Sequence, residues 1–132
     1  METRLFDRKS KSTALDGKIL RDSAAAEELF RSLDKSVPRF CELVAENGYT
    51  LWIGISADIA CVQYSRTDGE IPYLMAVRPP NLEAVPSREF MSGGTATPVS
   101  GRFCVPLELG IQIASEFIET GRTGALVSWE EI

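Results

Sequence analysis

The clearest pattern of apolar and polar positions lies near the end of the chain, in residues 105–121. Wound as a helix, this stretch gathers its small and apolar side chains on one face, namely Leu107, Gly110, Ile111, Ala114, Phe117 and Ile118. The opposite face carries Glu108, Gln112, Ser115 and Glu119. Pro106 suits the first helical position, and Gly121 suits the left-handed residue just beyond the end. The pattern predicts an amphipathic helix that packs one face against the core and exposes the other to solvent. Pro106 and Gly121 indicate where the helix begins and ends.

Two shorter elements are predicted from the same kind of pattern. Residues 24–33 suit a helix, with Asp22 or Ser23 as its N-cap. Residues 125–131 alternate between apolar and polar side chains, as a short strand does. We expect the C-terminal helix to cover the side of this strand that carries Trp129.

The middle of the chain follows the two-residue period of strands. It predicts four strands, at residues 40–46, 49–56, 59–65 and 71–77. Asn47-Gly48 joins the first two, and this dipeptide has a strong hairpin preference because both residues tolerate positive φ. In the second strand the side chains expected in the core are Tyr49, Leu51, Ile53 and Ile55. We expect an antiparallel meander that ends at Pro79-Pro80, since proline cannot donate to a sheet ladder.

The start of the chain has a weak pattern. Residues 1–18 mix charge with Ser, Thr and Gly, and Leu5 and Phe6 are the only strong apolar side chains ahead of Leu15. They predict a flexible basic arm or a weak edge strand. Residues 18–21 then suit a short first strand.

Residues 78–104 are the least regular part of the chain, with four prolines and the pair Gly93-Gly94. A structureless connection of more than about 15 residues is uncommon in a compact domain and often carries function. The segment is therefore our first candidate surface. The alternative is a loop that carries one or two short edge strands, around Phe90 and Phe103.

Length and composition indicate one ordinary globular domain. The chain has 132 residues, of which 44% are hydrophobic and 25% charged, and no apolar run approaches the roughly 20 residues of a membrane span. The first residues contain no apolar signal region, so we expect a cytoplasmic protein. We predict a single α+β domain over residues 1–132, with an antiparallel sheet of about five to six strands and an N-terminal and a C-terminal helix packed against it.

Charge is unevenly distributed along the chain. Residues 1–21 hold six basic and three acidic side chains, which leaves eight basic and sixteen acidic side chains in residues 22–132. An acidic body repels nucleic acid and favours a basic protein partner. The plain alternative is that the net charge only keeps the protein dissolved.

Most catalytic chemistry is absent from the sequence. The chain contains no histidine, which removes Ser-His and Cys-His nucleophilic pairs and the common zinc motifs. Cys41, Cys61 and Cys104 lack Cys-x-x-Cys spacing and are expected to be buried small hydrophobes. The Gly-rich residues 92–97 do not open a helix and do not match a phosphate-binding loop. We expect no enzyme activity, no cofactor and no metal.

Three C-terminal segments carry a resemblance to a known family. They are Val105-Pro106-Leu107-Glu108, Glu116-Phe117-Ile118-Glu119-Thr120-Gly121 and Val127-Ser128-Trp129-Glu130-Glu131. Together they resemble the C-terminal signature of the immunity protein family numbered one of bacterial polymorphic toxin systems. The likeness is specific in the last quarter of the chain and looser in the early helix and the central strands.

The resemblance implies a cytoplasmic α+β protein of the kind used in contact-dependent inhibition and related toxin–antitoxin conflicts. Such a protein binds a cognate toxin domain, a nuclease or a nucleic-acid deaminase, and neutralises it by blocking the active site. The resemblance implies a protein partner, no catalysis and no cofactor. Charge and the lack of a long apolar run lead us to expect no nucleic acid and no membrane as partners, and we expect a monomer or weak homodimer.

Two other functions compete with this one. A small acidic secretion chaperone would have the same size and fold class, but it needs exposed apolar grooves and normally a dimer. A small ligand-binding or enzymatic domain would need a deep pocket with convergent polar groups, and the sequence contains no sign of one.

The signature residues are expected to be scaffold. Phe117 suits a core position, Gly121 a helix cap and Trp129 the covered side of a strand. We therefore predict the toxin-binding surface on the turns and on the irregular segment. Its candidate residues are Asp58, Asp68, Glu70, Tyr73, Glu83, Glu89 and Phe90. The alternative for each of them is an ordinary solvated side chain.

Overall fold

The computed structural model describes residues 2–7, 17–33, 38–92 and 95–132. In these residues an antiparallel main sheet carries two helices on one face and a two-stranded hairpin on the other. Neither helix has the length and apolar content that crossing a lipid bilayer requires in the residues described. The α+β class with a helix near each end is confirmed.

Ten strands and two helices make up the described part of the chain. The strands are β1 (Thr3–Asp7), β2 (Lys18–Leu20), β3 (Arg39–Ala45), β4 (Tyr49–Ser56), β5 (Ile59–Arg66), β6 (Tyr73–Ala76), β7 (Arg88–Ser92), β8 (Thr95–Val99), β9 (Val105–Pro106) and β10 (Trp129–Glu131). The helices are α1 (Ser23–Ser32) and α2 (Leu107–Thr120), with a short 3-10 turn at Gly101–Phe103. The strand order of the main sheet is β10-β6-β5-β4-β3-β1-β2, with β9 beside β5. These eight strands exceed the five to six that the sequence predicts, because β1 is weakly patterned and β9 has only two residues.

The central meander is confirmed in order and direction. Strands β3, β4, β5 and β6 are consecutive neighbours, and each pair is antiparallel. At the first turn Gly48 takes φ 88°, and the Oδ1 atom of Asn47 accepts a hydrogen bond from the Tyr49 N–H at 3.1 Å. The glycine supplies the left-handed residue that the turn requires.

The leading segment is not a frayed arm or an edge strand where the structure describes it. Strand β1 lies inside the sheet between β2 and β3, with Thr3 paired to Leu20 on one side and to Ala45 on the other. Thr3 and Leu5 are fully buried. The remainder of the predicted basic arm, residues 8–16, lies outside the described residues.

The main core lies between the sheet and the two helices. Helix α2 crosses β4 and β5 closely at Gly110, where an added Cβ atom would lie 2.7 Å from the Cβ atom of Ala60. The predicted inner face of α2 is confirmed from Gly110 to Ile118. Ser115, which the sequence places on the wet face, is buried, because α2 packs against α1 as well as against the sheet. Its hydroxyl donates to the Ile111 carbonyl at 2.8 Å.

The helix ends follow the predicted chemistry with one difference. Asp22 is the N-cap of α1, and its Oδ1 atom accepts from the Ala25 N–H at 2.8 Å. Gly121 ends α2 in the left-handed conformation, with φ 71°, and its N–H donates to the Phe117 carbonyl at 2.6 Å. Pro106 is the N-cap residue of α2, with ψ 142°, and not its first helical residue.

Two carboxylates of α2 fasten the helices to each other. Glu108 accepts two hydrogen bonds from the Arg31 guanidinium, at 2.7 and 2.5 Å, while Glu119 accepts from the Ser23 N–H at 2.7 Å. The hydrogen bond from Arg31 holds the pKa of Glu108 below its ordinary value, and the backbone N–H of Ser23 does the same to the pKa of Glu119. Each contact therefore favours the ionised carboxylate.

The stability of the helix pair is expected to depend on pH in the acid range. A carboxylate whose pKa is lower in the folded than in the unfolded protein stabilises the fold above the unfolded pKa, and that stability is lost as the pH falls through the folded pKa. We expect the urea midpoint of a Glu108→Gln variant to fall less steeply below about pH 4.5 than that of the unmodified protein. Urea unfolding followed by circular dichroism between about pH 7 and pH 3 measures the difference. Parallel pH profiles would contradict the role of this carboxylate.

Candidate functional site

The face of the main sheet opposite the helices carries side chains that strand pairing places in rows. The middle row runs from β1 to β10 through Phe6, Glu42, Trp52, Gln63, Met75 and Glu130. The neighbouring row contains Arg4, Val44, Thr50, Ser65 and Tyr73. Successive residues of a row stand directly opposite each other, with Cβ atoms about 4.5–5.5 Å apart. Residues far apart in sequence therefore form one surface.

The β7–β8 hairpin covers the third row of this face. Phe90 is fully buried over Gly54, and its ring meets the Phe40 ring edge-on at a centroid distance of 6.4 Å. A Cβ atom on Gly54 would lie 2.9 Å from Phe90 Cδ1 and 2.7 Å from Cys61 Sγ. The bare backbone at Gly54 thus lets the hairpin approach the sheet, and a second apolar cluster around Phe90 and Cys104 holds it there.

Between the hairpin and the β5–β6 turn, the sheet face remains open as a concave space of about 420 Å³. We call this space the open-face groove. Its walls include Phe40, Glu42, Trp52, Gln63, Tyr73 and Thr97. Five of these residues come from the four neighbouring strands of the meander, and Thr97 comes from the hairpin. The groove therefore exists only when the sheet and the hairpin are both assembled.

The groove combines an aromatic surface with hydrogen-bonding groups. Glu42 and Gln63 are the two cross-strand neighbours of Trp52, on β3 and β5. Trp52 is half-buried, and its ring meets Phe40 at a centroid distance of 5.8 Å and an interplanar angle of 60°. A carboxylate, an indole and an amide therefore lie side by side at the base of the groove. Such a combination suits a planar cationic or amide group of a partner.

Of the seven predicted binding residues, Tyr73 lines the groove, and Asp68 and Glu70 are the chain neighbours of its lining residue Gly69. Asp68 and Glu70 belong to the β5–β6 turn, and Tyr73 lines the groove and donates its hydroxyl hydrogen to the Gly69 carbonyl. The Glu70 N–H donates to Asp68 at 2.9 Å and, together with Arg66 at 2.6 Å, lowers the pKa of Asp68. Asp68 is thus both a turn residue and a fixed negative charge beside the groove.

The other four predicted residues lie elsewhere. Asp58 is in the β4–β5 turn with 87% of its side chain exposed, 3.8 Å from Arg88. Glu83 and Glu89 are exposed on the segment that follows β6. Phe90 is fully buried and fixes the hairpin, so its side chain is not available to a partner.

The sequence prediction missed the residues at the base of the groove: Phe40, Glu42, Trp52 and Gln63. They could have been found by examining the outward-facing positions of the strands whose inward-facing side chains are apolar. Outward positions of a solvated sheet are usually small or charged, whereas here a tryptophan sits between a glutamate and a glutamine. That contrast becomes visible only after the strands are paired.

The cysteines do not offer a nucleophile to this site. Cys41, Cys61 and Cys104 are buried thiols, as expected from the sequence. Burial raises the pKa of the Cys61 thiol to about 12, which keeps it protonated near neutral pH. The described residues bring together no group of three or more His, Cys, Asp or Glu side chains suited to a metal ion.

A comparison with protein families gives a match over most of the chain. The family model described as immunity protein Imm1 matches residues 18–131, which is most of the chain and runs from β2 to β10. The matched span includes the whole open-face groove and leaves out β1. A search of curated proteins found no match.

Proposed function

Because the chain belongs to the immunity protein Imm1 family, we propose that it binds a cognate toxin domain and neutralises it by covering the toxin's active site. The family match over residues 18–131 is the observation that carries this proposal. The match agrees with the resemblance that the C-terminal segments show. The match supports an immunity role. The kind of toxin is proposed on other grounds, which follow.

The proposed toxin is a nuclease or a nucleic-acid deaminase, and charge supports this choice. An enzyme that acts on nucleic acid presents a basic cleft, and residues 22–132 hold sixteen acidic side chains against eight basic ones. Opposite charges accelerate encounter, while buried aromatic contacts slow dissociation. The protein would act in the cytoplasm as a monomer or weak homodimer, by binding alone and without catalysis.

The competing function, a secretion chaperone, differs in what it would bind. A chaperone holds a partly extended segment in an exposed apolar groove. The large exposed apolar side chains of the described residues are Ile71, Leu82, Leu126 and Ile132. They come from separate segments of the chain, and the groove that the sheet does form contains charged and polar groups. These observations favour a folded partner.

Co-expression tests the proposed function. The partner to test is a C-terminal toxin-like domain, sought in the product of the gene next to that of this chain. We expect this protein to restore growth to cells that express the domain, and the two proteins to elute as a one-to-one complex. Growth arrest without complex formation would contradict an immunity role. Binding only to an unfolded segment of the partner would favour the chaperone.

Electrostatic attraction predicts a change in association rate when exposed acids are reversed. Asp58, Glu83 and Glu89 are exposed, and replacing all three with lysine moves the net charge of the chain from −5 to +1. We expect association with the toxin to slow by about tenfold or more at low ionic strength, and protection to weaken with it. Stopped-flow measurements at about 0.05 M and 0.5 M salt should show the difference shrinking as salt screens the charges. An unchanged rate at low salt would contradict steering by this surface.

A further inference from the structure

We propose that the toxin docks on a corner of the open sheet face formed by Ile71, Tyr73 and Ile132, with apolar side chains on these residues and basic groups on the acidic residues around them. We call this surface the apolar corner. The inference rests on the proposed function, because the occupant is the cognate toxin. It goes further by naming the surface that binds the toxin and the chemistry of the contact.

Strand pairing places Ile132 beside Tyr73. Strand β10 runs antiparallel to β6, with Glu131 opposite Leu74, and the Ile132 N–H donates to the Tyr73 carbonyl at 3.0 Å. Ile132 therefore continues the register opposite Tyr73. Directly opposed residues of antiparallel strands project from the same face, with Cβ atoms about 4.5–5.5 Å apart. Because Tyr73 lines the open-face groove, both side chains lie on the open face of the sheet.

The apolar corner exposes apolar surface to solvent. The side chains of Ile71 and Ile132 are 68% and 60% exposed, and they are two of the four large exposed apolar side chains in the described residues. Ile71 lies two residues ahead of the half-buried Tyr73. Single exposed apolar side chains are common on protein surfaces, whereas adjacent ones indicate a binding surface. Aromatic and aliphatic side chains that lose water on binding form the centre of many interfaces.

The tyrosine of the apolar corner is held in place before a partner arrives. Its backbone is paired on both sides, with Ser65 on β5 and with Ile132 on β10. Its hydroxyl donates to the Gly69 carbonyl. A side chain that is already ordered loses little conformational entropy on binding, which increases affinity. Tyr73 and Gly69 also line the open-face groove, so the corner continues into a concave space that a projecting part of the toxin can enter.

The charges around the apolar corner are mainly negative. The acidic residues of the β5–β6 turn and of β10 are Asp68, Glu70, Glu130 and Glu131. Arg66 binds Asp68 at 2.6 Å and Arg102 binds Glu130, so each of these arginines offsets one carboxylate. Glu70 and Glu131 are exposed and supply the remaining negative charge. An apolar centre with an acidic border complements the basic cleft of an enzyme that acts on nucleic acid.

Charge also distinguishes the toxin from other occupants and this surface from other exposed apolar side chains. Leu82 and Leu126 lie in grooves beside Pro79 and Pro80, where the charged lining residues are arginines, which would repel a basic cleft. A second copy of the chain would form a two-fold contact and place the acidic border against itself. Like charges brought together in this way oppose association. A basic protein surface is therefore the occupant that the apolar corner favours.

A matched pair of lysine variants tests the apolar corner. Ile132→Lys and Leu126→Lys each replace an exposed aliphatic side chain with a cation, but Leu126 lies ahead of β10, beside Pro79. We expect Ile132→Lys to weaken toxin binding by about tenfold or more, mainly through faster dissociation, and Leu126→Lys to weaken it less than about threefold. Equal effects of the two variants would overturn the assigned surface. Circular dichroism and urea midpoints establish that both variants are folded.

The three tyrosines of the chain provide a direct test of the contact. Tyr73 lies in the apolar corner, whereas Tyr64 is buried and meets the Phe117 ring of α2 at 6.0 Å between centroids. Protein labelled with 3-fluorotyrosine gives one fluorine resonance for each tyrosine, and single replacements by phenylalanine assign them. We expect the toxin domain to shift or broaden the Tyr73 resonance and to leave the Tyr64 resonance in place. A complex in which the Tyr73 resonance does not move would overturn the surface.

Sedimentation velocity separates failure of the surface from failure of the proposed function. We expect the unmodified protein to form a one-to-one complex with the toxin domain, and Ile132→Lys to lose it at the same concentrations. If the protein alone forms a homodimer that Ile132→Lys dissociates, a second copy occupies the corner and the toxin assignment is wrong. If the toxin binds both proteins equally, the apolar corner is wrong and the proposed function stands. If the toxin does not bind the unmodified protein, the proposed function itself fails.

Discussion

Replacing Phe117 with alanine is expected to lower the free energy of unfolding by about 3–5 kcal/mol. The ring is fully buried between α2 and the sheet, and it meets the Tyr64 ring edge-on at 6.0 Å. Its removal would leave a cavity in the main core, since the helix is also held in place by α1 and cannot close the gap. A loss of this size is a large part of the stability of a small domain, which is typically about 5–15 kcal/mol.

Urea unfolding of Phe117→Ala, followed by circular dichroism and tryptophan fluorescence, measures the loss. Ile132→Ala is a suitable control, because this side chain is 60% exposed and its truncation should change stability by less than about 0.5 kcal/mol. A loss below about 1 kcal/mol for Phe117→Ala would show that the core closes around the missing ring.

Replacing Phe90 with alanine is expected to have a comparable effect on stability, about 3–5 kcal/mol, and an additional effect on the groove. Phe90 is the fully buried side chain through which the β7–β8 hairpin contacts Gly54 and Phe40. Without it the hairpin that carries Thr97 loses its main attachment to the sheet. Amide hydrogen exchange should accelerate in residues 88–92 and 95–99 before the central meander exchanges. Equal protection of the hairpin in both proteins would contradict this role.

A double-mutant cycle tests the contact between Phe90 and Gly54. The Gly54→Ala change alone is expected to cost about 1–3 kcal/mol, because the new Cβ atom meets tightly packed neighbours. In the Phe90→Ala protein the same change should cost less, since the atom 2.9 Å away has been removed. Additive losses would show that Phe90 is not what keeps position 54 free of a side chain.

The elements predicted correctly from the sequence are those that depend on neighbouring residues. Strands β3 to β6 follow a two-residue period and are separated by turn residues such as Gly48. Helix α2 has Gly121 at its end, and α1 has Asp22 at its start. The hydrophobic period of a strand or helix, its turn residues and its capping residues all depend on a few consecutive side chains. They can therefore be predicted without knowing how the strands pair.

The elements that the sequence missed, or offered only as an alternative as it did for the strand around Phe90, depend on distant partners. Strand β1 has only Leu5 and Phe6 as strong apolar residues, yet it is buried because β3 and β2 flank it. The β7–β8 hairpin contains Pro98, which argues against a strand in general but is compatible with the edge of a two-stranded sheet. Ser115 is buried because a second helix covers α2. Each of these results comes from tertiary packing.

The residues of the candidate site also differ in whether local sequence predicts them. The sequence indicates acidic turns, and the sequence-based prediction therefore named Asp68 and Glu70, which lie in the turn beside the groove. It does not reveal that Glu42, Trp52 and Gln63 are adjacent, because three strands must pair in one register before they meet. The fold class is thus accessible from sequence, whereas the residues of the groove require the sheet.

The two outer strands of the main sheet, β2 and β10, have three residues each, Lys18–Leu20 and Trp129–Glu131. A foreign strand arriving at either edge would find only a few unpaired N–H and C=O groups, and it would meet the charged Lys18 or Glu131 there. Short, charged edges of this kind disfavour growth of the sheet into fibres or mixed assemblies. A partner is thereby directed away from strand addition and towards the broad faces of the molecule.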